Sequence, residues 1–358
     1  MRLNIKKAGM LTSVQDLGRW GFQSSGVPVA GAMDLPALRL GNTMLGNPEG
    51  AAALEVTLLG PEIEVKGEGA VVFAGADLGF AVNGNYVAPW TVRVLKDGDI
   101  ISFTGPRGSG CRGNLCFAGG IDLKPVMNSR STYMRAHIGG LEGRALKAGD
   151  TLETGDPAPL LKRLDGFTLP PALTAAKGPD EPLAVTEGLQ SDAFTEKGLS
   201  TLYTSEYSVT AESDRMGCRL DGEKIEHNEK GADIVSDAIP LGAVQVPGHG
   251  MPIVMLADRQ TTGGYTKVGV LTPLSVEALV QKLPGSKVLF RKAEPGEGVR
   301  ELKELKEKLA QARELRFAKI SRQEQAAPKP EKPLSGSFRL TVNGKSYEIT
   351  CQELESKE

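Results

Sequence analysis

The densest group of chemically useful side chains lies in Leu256-Ala-Asp-Arg-Gln-Thr-Thr-Gly-Gly-Tyr265, directly after the apolar run 252–256. Asp258, Gln260, Thr262 and Tyr265 supply donors and acceptors, and Gln245 sits nearby in Gln245-Val-Pro-Gly-His-Gly250. Amide recognition requires both kinds of group. Gly263 and Gly264 are expected to turn the chain after the strand, with positive φ bringing backbone close to a ligand. Upstream, Glu212-Ser-Asp-Arg-Met-Gly-Cys-Arg219 places Arg215 and Arg219 four apart beside Asp214. One arginine suits a substrate carboxylate while the other pairs structurally.

Two further clusters carry polar side chains among glycines. Gln15, Asp16 and Arg19 lie in Thr12-Ser-Val-Gln-Asp-Leu-Gly-Arg-Trp-Gly21, followed by Gly26-Val-Pro-Val-Ala-Gly-Ala-Met-Asp34. They could bind a planar polar ligand; an Asp–Arg pair fixing a turn accounts for them equally well. Ser129-Arg-Ser-Thr132 and Gly139-Gly-Leu-Glu-Gly-Arg144 suit a carboxylate or phosphate, or simply hydrogen-bonded loops.

Other chemistries lack material. No Walker A sequence is present, and Gly105-Pro-Arg-Gly-Ser-Gly110 reads as a loop between strands rather than a phosphate cradle. There is no G-x-S-x-G elbow and no H-E-x-x-H. Three scattered histidines and four cysteines without a C-x-x-C pair argue against structural zinc, and no metal is expected. Acid–base work would fall to Asp, Glu, Lys, Tyr or a positioned water.

The elements that must position these groups are short strands. The 358 residues are 40% hydrophobic with a formal net charge of −2. That balance argues against nucleic acid or an anionic membrane as partner. The start lacks a signal-peptide core, no membrane span is expected, and sparse cysteines suit a reducing compartment, so a cytoplasmic protein is expected. Forty-four glycines and 22 prolines punctuate β-like runs at 62–65, 70–74, 80–82, 91–95, 100–103, 183–186, 202–209, 243–246 and 253–256. Asn83-Gly84 is a hairpin signal, and residues 35–45 predict a helix capped by Asp34. Such spacing suggests barrels or sandwiches.

Prolines around 156–180 place a domain boundary there. The expected organisation is an N-terminal domain over 1–155, a linker over 156–180 and a second domain over 181–298. An amphipathic helix over 299–322 should pack Leu302, Leu305 and Leu309 on the second domain. A linker over 323–336 and a hairpin tail over 337–358 complete it. Asp16-Leu-Gly-Arg and Asp214-Arg-Met-Gly form a faint echo between the halves.

At these clusters the chain resembles the allophanate hydrolase subunit 2 family. The matching segments are QD-x-GR-x-G from Gln15, GVP-x-x-GAMD ending at Asp34, Ala53-Leu-Glu55, Gly60-Pro61 and Phe73-Ala-Gly-Ala76. Ala118-Gly-Gly-Ile-Asp122, Ser129-Arg-Ser-Thr132, Ser213-Asp-Arg-Met-Gly217, Gln245-Val-Pro247 and Asp258 to Tyr265 follow in order. The likeness runs from about residue 3 to 315. It implies a mainly β fold of two cyclophilin-like β-barrel domains, here with a C-terminal amphipathic helix and a short β-hairpin tail. It also implies a site on the barrel faces involving Arg215, Gln245, Asp258, Gln260, Thr262, Gly263, Gly264 and Tyr265. Asp258, Gln260 and Tyr265 would be its catalytic members.

Members of this family include the C subunit of 5-oxoprolinase, half of a biotin-dependent urea carboxyltransferase, and an antagonist of a sporulation-kinase inhibitor. The first reading is therefore a component of an ATP-dependent 5-oxoprolinase, with Arg215 on the substrate carboxylate and Asp258 and Gln260 on the lactam. Its partners would be an allophanate hydrolase subunit 1-like protein (the B subunit of 5-oxoprolinase) and the LamB/YcsF-type A subunit, with ATP used by the complex. The second is carboxyl transfer to urea or another small amide, with carboxybiotin on a separate carrier and a biotin carboxylase elsewhere. The third is a non-catalytic binding protein. The tail 338–350 resembles the hairpin that precedes biotinyl domains in decarboxylase subunits, but the biotin-bearing Met-Lys-Met is absent from the sequence.

Overall fold

Alternation builds the first half. In Arg2–Lys7 and Glu62–Lys66 the apolar Leu3, Ile5, Ile63 and Val65 are fully covered while charged neighbours face water. Lys6 and Lys7 pair across the strands with Glu64 and Glu62 at 2.8 and 2.7 Å. These strands belong to a six-stranded sheet that packs on a five-stranded one, and Leu3, Val65 and Ile101 of the first meet Val14, Leu54, Phe73 and Leu115 of the second in one core. The hairpin expected at Asn83-Gly84 joins Phe80–Val82 to Asn85–Tyr86. Both turn residues have positive φ, 51° and 74°, which suits Asn and Gly. Helix α1, Leu35–Leu45, begins where Asp34 accepts from the Ala37 amide at 3.0 Å, as the sequence predicts, and ends on Gly46 at φ 77°.

The second half forms an eight-stranded sheet whose edges, Lys287–Val288 and Phe290–Lys292, are separated by one residue, so the sheet nearly closes into a barrel. The fold is thus mainly β with two barrel-like halves. The run at 202–209 departs from expectation. Residues Glu196–Thr204 form a helix (α3, after the short α2 at Pro171–Thr174), and only Tyr207–Val209 is strand. The reason is the Thr195 hydroxyl, which accepts from the Gly198 amide at 2.9 Å and starts the helix. Pro273–Val280 forms α4, whose open N-terminus is met by the buried Glu301 carboxylate at the Leu274 amide (3.0 Å) and the Thr272 hydroxyl (3.1 Å).

Glu301 belongs to α5, Glu297–Ala326, longer at both ends than the 299–322 expected. Its covered stripe is Glu301, Leu309 and Ala312, whereas Val299 and Leu302 stay exposed. Arg313 pairs with Glu49, so the helix also engages the first half rather than the second alone.

The computed structural model describes residues 1–157, 161–174, 178, 180–326, 336–342 and 345–351. Residues 1–319 form one unit, so the boundary expected at 156–180 falls inside it; 320–358 form another, whose strands Gly336–Val342 and Lys345–Cys351 pair antiparallel. Most of the linker expected at 323–336 lies outside the described residues. Among the described residues no helix is long and apolar enough to cross a membrane, and no group of three or more His, Cys, Asp or Glu side chains could hold a metal ion.

Candidate functional site

Arg215 precedes the strand Gly217–Asp221 and is almost wholly buried. Its Nε and Nη2 donate to Asp258 at 3.1 and 3.0 Å, Nη2 also donates to the Gly31 carbonyl at 2.6 Å, and Nη1 binds Glu55. The Glu55 carboxylate also accepts from the Met33 amide at 2.6 Å. Burial opposes the charge on Arg215, but Asp258 and Glu55 outweigh it and hold the guanidinium above its ordinary pKa. One correction follows. Arg215 is committed to two carboxylates and a carbonyl, so it is a pillar between the halves, not an anchor for a substrate carboxylate. Asp258 has both oxygens on Arg215, so its carboxylate is held in place by that pair. Arg215 and Asp258 themselves line a cavity of about 340 Å³, whose other walls are mainly apolar and include Met33, Cys111, Cys218 and Leu279.

In the first half, Asp16 is the hub of a loop network rather than a ligand group. Its carboxylate accepts from Ser129 Oγ (2.7 Å), Ser131 Oγ, the Gly18 amide (2.8 Å) and the Arg130 amide (2.5 Å). Asp16 thus fixes its turn through serine hydroxyls and backbone amides rather than through the expected Asp–Arg pair, and the serines near Arg130 serve the same network. The echo at Asp214 has a local basis. Asp16 accepts from an amide two residues on, and Asp214 does the same at Met216, 2.8 Å. Gln15 donates to Ser13 Oγ and the Thr132 carbonyl, at 2.9 and 3.2 Å, while its Oε1 has no partner. Arg19 is fully covered, bonds the Ser131 carbonyl, and leaves Nε and Nη1 unpartnered. Burial lowers its pKa against the fields of Asp16 and Asp258.

The third group also carries open hydrogen-bonding capacity, there as one amide donor and one amide acceptor. Thr262–Tyr265 is a strand, not a turn. It pairs with Asp233–Ala238, setting Asp233 opposite Tyr265 and Asp237 opposite Gly263, and neither glycine has positive φ. Gly263 is required for another reason. A Cβ there would stand 2.7 Å from Ile239 Cδ1, 3.0 Å from Gln245 Nε2 and 3.4 Å from Gln260 Nε2. Gln245 ends the strand Ala243–Gln245 and faces Lys267 across the ladder. Lys267 is buried and pairs with Asp237 Oδ2 at 3.2 Å, which closes a ring of Gln245, Lys267, Asp237 and Gly263. Gln245 Nε2 and Gln260 Oε1 are both buried with no hydrogen-bond partner, one donor and one acceptor. Tyr265 shares the Gly263 face of its strand and is exposed; Thr262, also exposed, takes the opposite face with Gly264.

Residues 25–292 match the family model for the carboxyltransferase domain, subdomains A and B. The chain belongs to that family. It is 35% identical over 288 residues to the C subunit of 5-oxoprolinase from Escherichia coli strain K12, covering 80% of this chain and 90% of the relative. It is 29% identical to the urea amidolyase of Saccharomyces cerevisiae over 80% of this chain but only 16% of that protein. The crystal structure of Kluyveromyces lactis urea carboxylase superimposes with TM-score 0.81 and 27% identity, over 98% of this chain and 32% of that one. The kinship expected from the sequence motifs therefore holds.

Within this carboxyltransferase-family chain, the structure gathers Gln245, Gln260 and Gly263, sets the exposed Tyr265 on the Gly263 face of its strand, and pairs Arg215 with Asp258. Gln15, Asp16 and Arg19 form a separate network. Lys267 escaped the sequence reading; a lysine opening the buried strand Lys267–Leu271 was the signal that could have found it. The orphaned donor and acceptor are complementary in hydrogen-bonding type to a ureido or lactam amide. The Gly105–Gly110 loop connects two strands with no helix after it, so it offers no helix N-terminus to a phosphate.

Proposed function

We propose that this chain is a component of an ATP-dependent 5-oxoprolinase and supplies the site that holds the lactam. The observation that carries this reading is the buried pair of unpartnered amide groups, Gln245 Nε2 and Gln260 Oε1, around Gly263. Leaving two such groups unpaired costs roughly 1 to 3 kcal/mol each, a cost a bound amide would remove. The 35% identity to the C subunit of a 5-oxoprolinase supports the same substrate class.

In this reading Gln245 donates to the lactam oxygen and Gln260 accepts from the lactam N–H. The Lys267 ammonium, beside Gln245 in the ladder and paired with Asp237, stabilises negative charge developing on that oxygen. ATP, used by the assembled complex, supplies the activation that an unreactive amide needs. One water adds to the lactam carbon as the C–N bond breaks and the nitrogen takes a proton, and a second water accounts for the cleavage of ATP, so the products are glutamate, ADP and phosphate. An allophanate hydrolase subunit 1-like protein and a LamB/YcsF-type protein would complete the complex.

The family model and the urea carboxylase likeness favour a second reading, carboxyl transfer from carboxybiotin on a separate carrier to urea or another amide. The same two glutamines would hold the planar ureido group. The deciding experiment measures ATP hydrolysis by this protein mixed with the candidate partner proteins, with and without 5-oxoproline. Stimulated hydrolysis with glutamate formed one-to-one supports the oxoprolinase. Bicarbonate-dependent turnover of urea that excess avidin abolishes, with silence towards 5-oxoproline, supports the carboxyltransferase.

A further inference from the structure

Among the described residues, Arg259 is a buried cation without a counter-ion. The buried basic side chains among those residues are Arg19, Arg215, Arg259 and Lys267. Arg215 pairs with Asp258 and Glu55, Lys267 pairs with Asp237, and Arg19 lies in the fields of Asp16 and Asp258. Arg259 instead donates from Nε to the Ile239 carbonyl at 2.9 Å and from Nη1 to the Leu256 carbonyl at 3.2 Å, which leaves Nη2 out of both bonds. Burial, with no carboxylate opposing it, pushes its pKa down to about 10. A covered guanidinium is costly unless an anion compensates it.

The residue is tied to the amide group through Ile239. Ile239 takes the Arg259 bond on its carbonyl, and its Cδ1 closes on Gly263, which Gln245 and Gln260 flank. Ile239 also donates from its amide to the Thr261 carbonyl at 3.1 Å, which ties the two sides of this corner together. We infer that Arg259 is the anion anchor of this site and that its ligand is a small amide bearing a carboxylate. The inference rests on reading Gln245 and Gln260 as the amide-binding pair, and it gives Arg259 the role that Arg215 is too fully bonded to play.

The test is calorimetric titration of the full chain, assembled with its partner proteins, with two lactams that differ only in the carboxylate: 5-oxoproline and 2-pyrrolidinone. Wild type is expected to bind 5-oxoproline at least about tenfold tighter. Arg259→Gln should weaken 5-oxoproline by roughly ten- to hundredfold and leave 2-pyrrolidinone unchanged. Arg259→Lys should restore part of the loss, and Gln245→Leu should weaken both lactams. Equal affinity of wild type for the two lactams overturns the inference without recourse to any variant. So does an Arg259→Gln protein that binds 5-oxoproline as tightly as wild type, or loses both lactams equally. If wild type binds neither lactam, the oxoprolinase reading fails, and N-carbamoylglycine against urea repeats the comparison. Arg259-dependent preference for N-carbamoylglycine then keeps the anchor, and absence of binding in both pairs removes it.

Discussion

Arg215 and Asp258 hold each other three times. Two guanidinium nitrogens meet two carboxylate oxygens at 3.1 and 3.0 Å, and the Asp258 amide donates to the Arg215 carbonyl at 2.9 Å. The same guanidinium reaches Glu55 and Gly31 in the first half. Removing one partner of such a pair leaves an uncompensated buried charge. Arg215→Met is expected to destabilise the fold by about 3 to 5 kcal/mol, read from urea unfolding. An unchanged unfolding midpoint would falsify the assignment of Arg215 to the framework.

Gln245 predicts the opposite balance of stability and function. Its buried Nε2 bonds nothing, so Gln245→Leu replaces an unmet donor with an apolar group of similar shape. Stability should stay level or rise by about 1 kcal/mol, while activity of the assembled complex falls by roughly tenfold or more. A variant that loses stability and keeps its activity would show that the amide serves the core.

Gly263 and Gly264 are neighbours with different environments. Gly263→Ala would push a methyl group to 3.0 Å from Gln245 Nε2 and 2.7 Å from Ile239 Cδ1; at Gly264 the nearest atom is Ile234 O, at 3.4 Å. Gly263→Ala is therefore expected to impair ligand binding and cost about 1 to 3 kcal/mol. Gly264→Ala should be mild on both counts. Equal effects in ligand titration and thermal unfolding would contradict the crowding argument.

Asp150 sets a pH dependence in the first half. Arg144 grips its two oxygens at 2.7 and 2.9 Å, the Lys147 amide adds a bond at 2.8 Å, and the carboxyl is held below its ordinary 3.8. A carboxyl depressed on folding contributes stability above its unfolded pKa and loses it as pH falls through the folded value. Asp150→Asn should thus cost about 1 to 3 kcal/mol at pH 7 and progressively less below about pH 4. Chemical unfolding of both proteins across that range checks it, and a pH-independent difference would exclude the linkage.

Much of the scaffold was legible because it depends on local chemistry. Asp34 before residues 35–45 marks α1, Asn83-Gly84 marks a hairpin, and short alternating runs mark strands, since caps, turns and pleats are satisfied within a few residues. The helix at Glu196–Thr204 was missed because its apolar residues also suit a strand, and only the Thr195 cap separates the two.

The site was legible as a list of segments and not as an arrangement. Composition, turn chemistry and motif order determine a mainly β chain with polar groups concentrated in a few loops and strand ends, and they point to its family. They do not say which polar group is already engaged. Asp258, Arg215 and Asp16 read as ligand groups in the sequence, yet each is occupied by partners more than forty residues away. Gln245 and Gln260 read no differently, and Gln245 Nε2 and Gln260 Oε1 remain unpaired. Lys267 stands beside Gln245 only because strand pairing brings distant segments into contact, and Ile239 meets both the Arg259 side chain and Gly263 for the same reason. Availability of a hydrogen-bonding group depends on what stands within about 3 Å of it, and only the tertiary structure decides that.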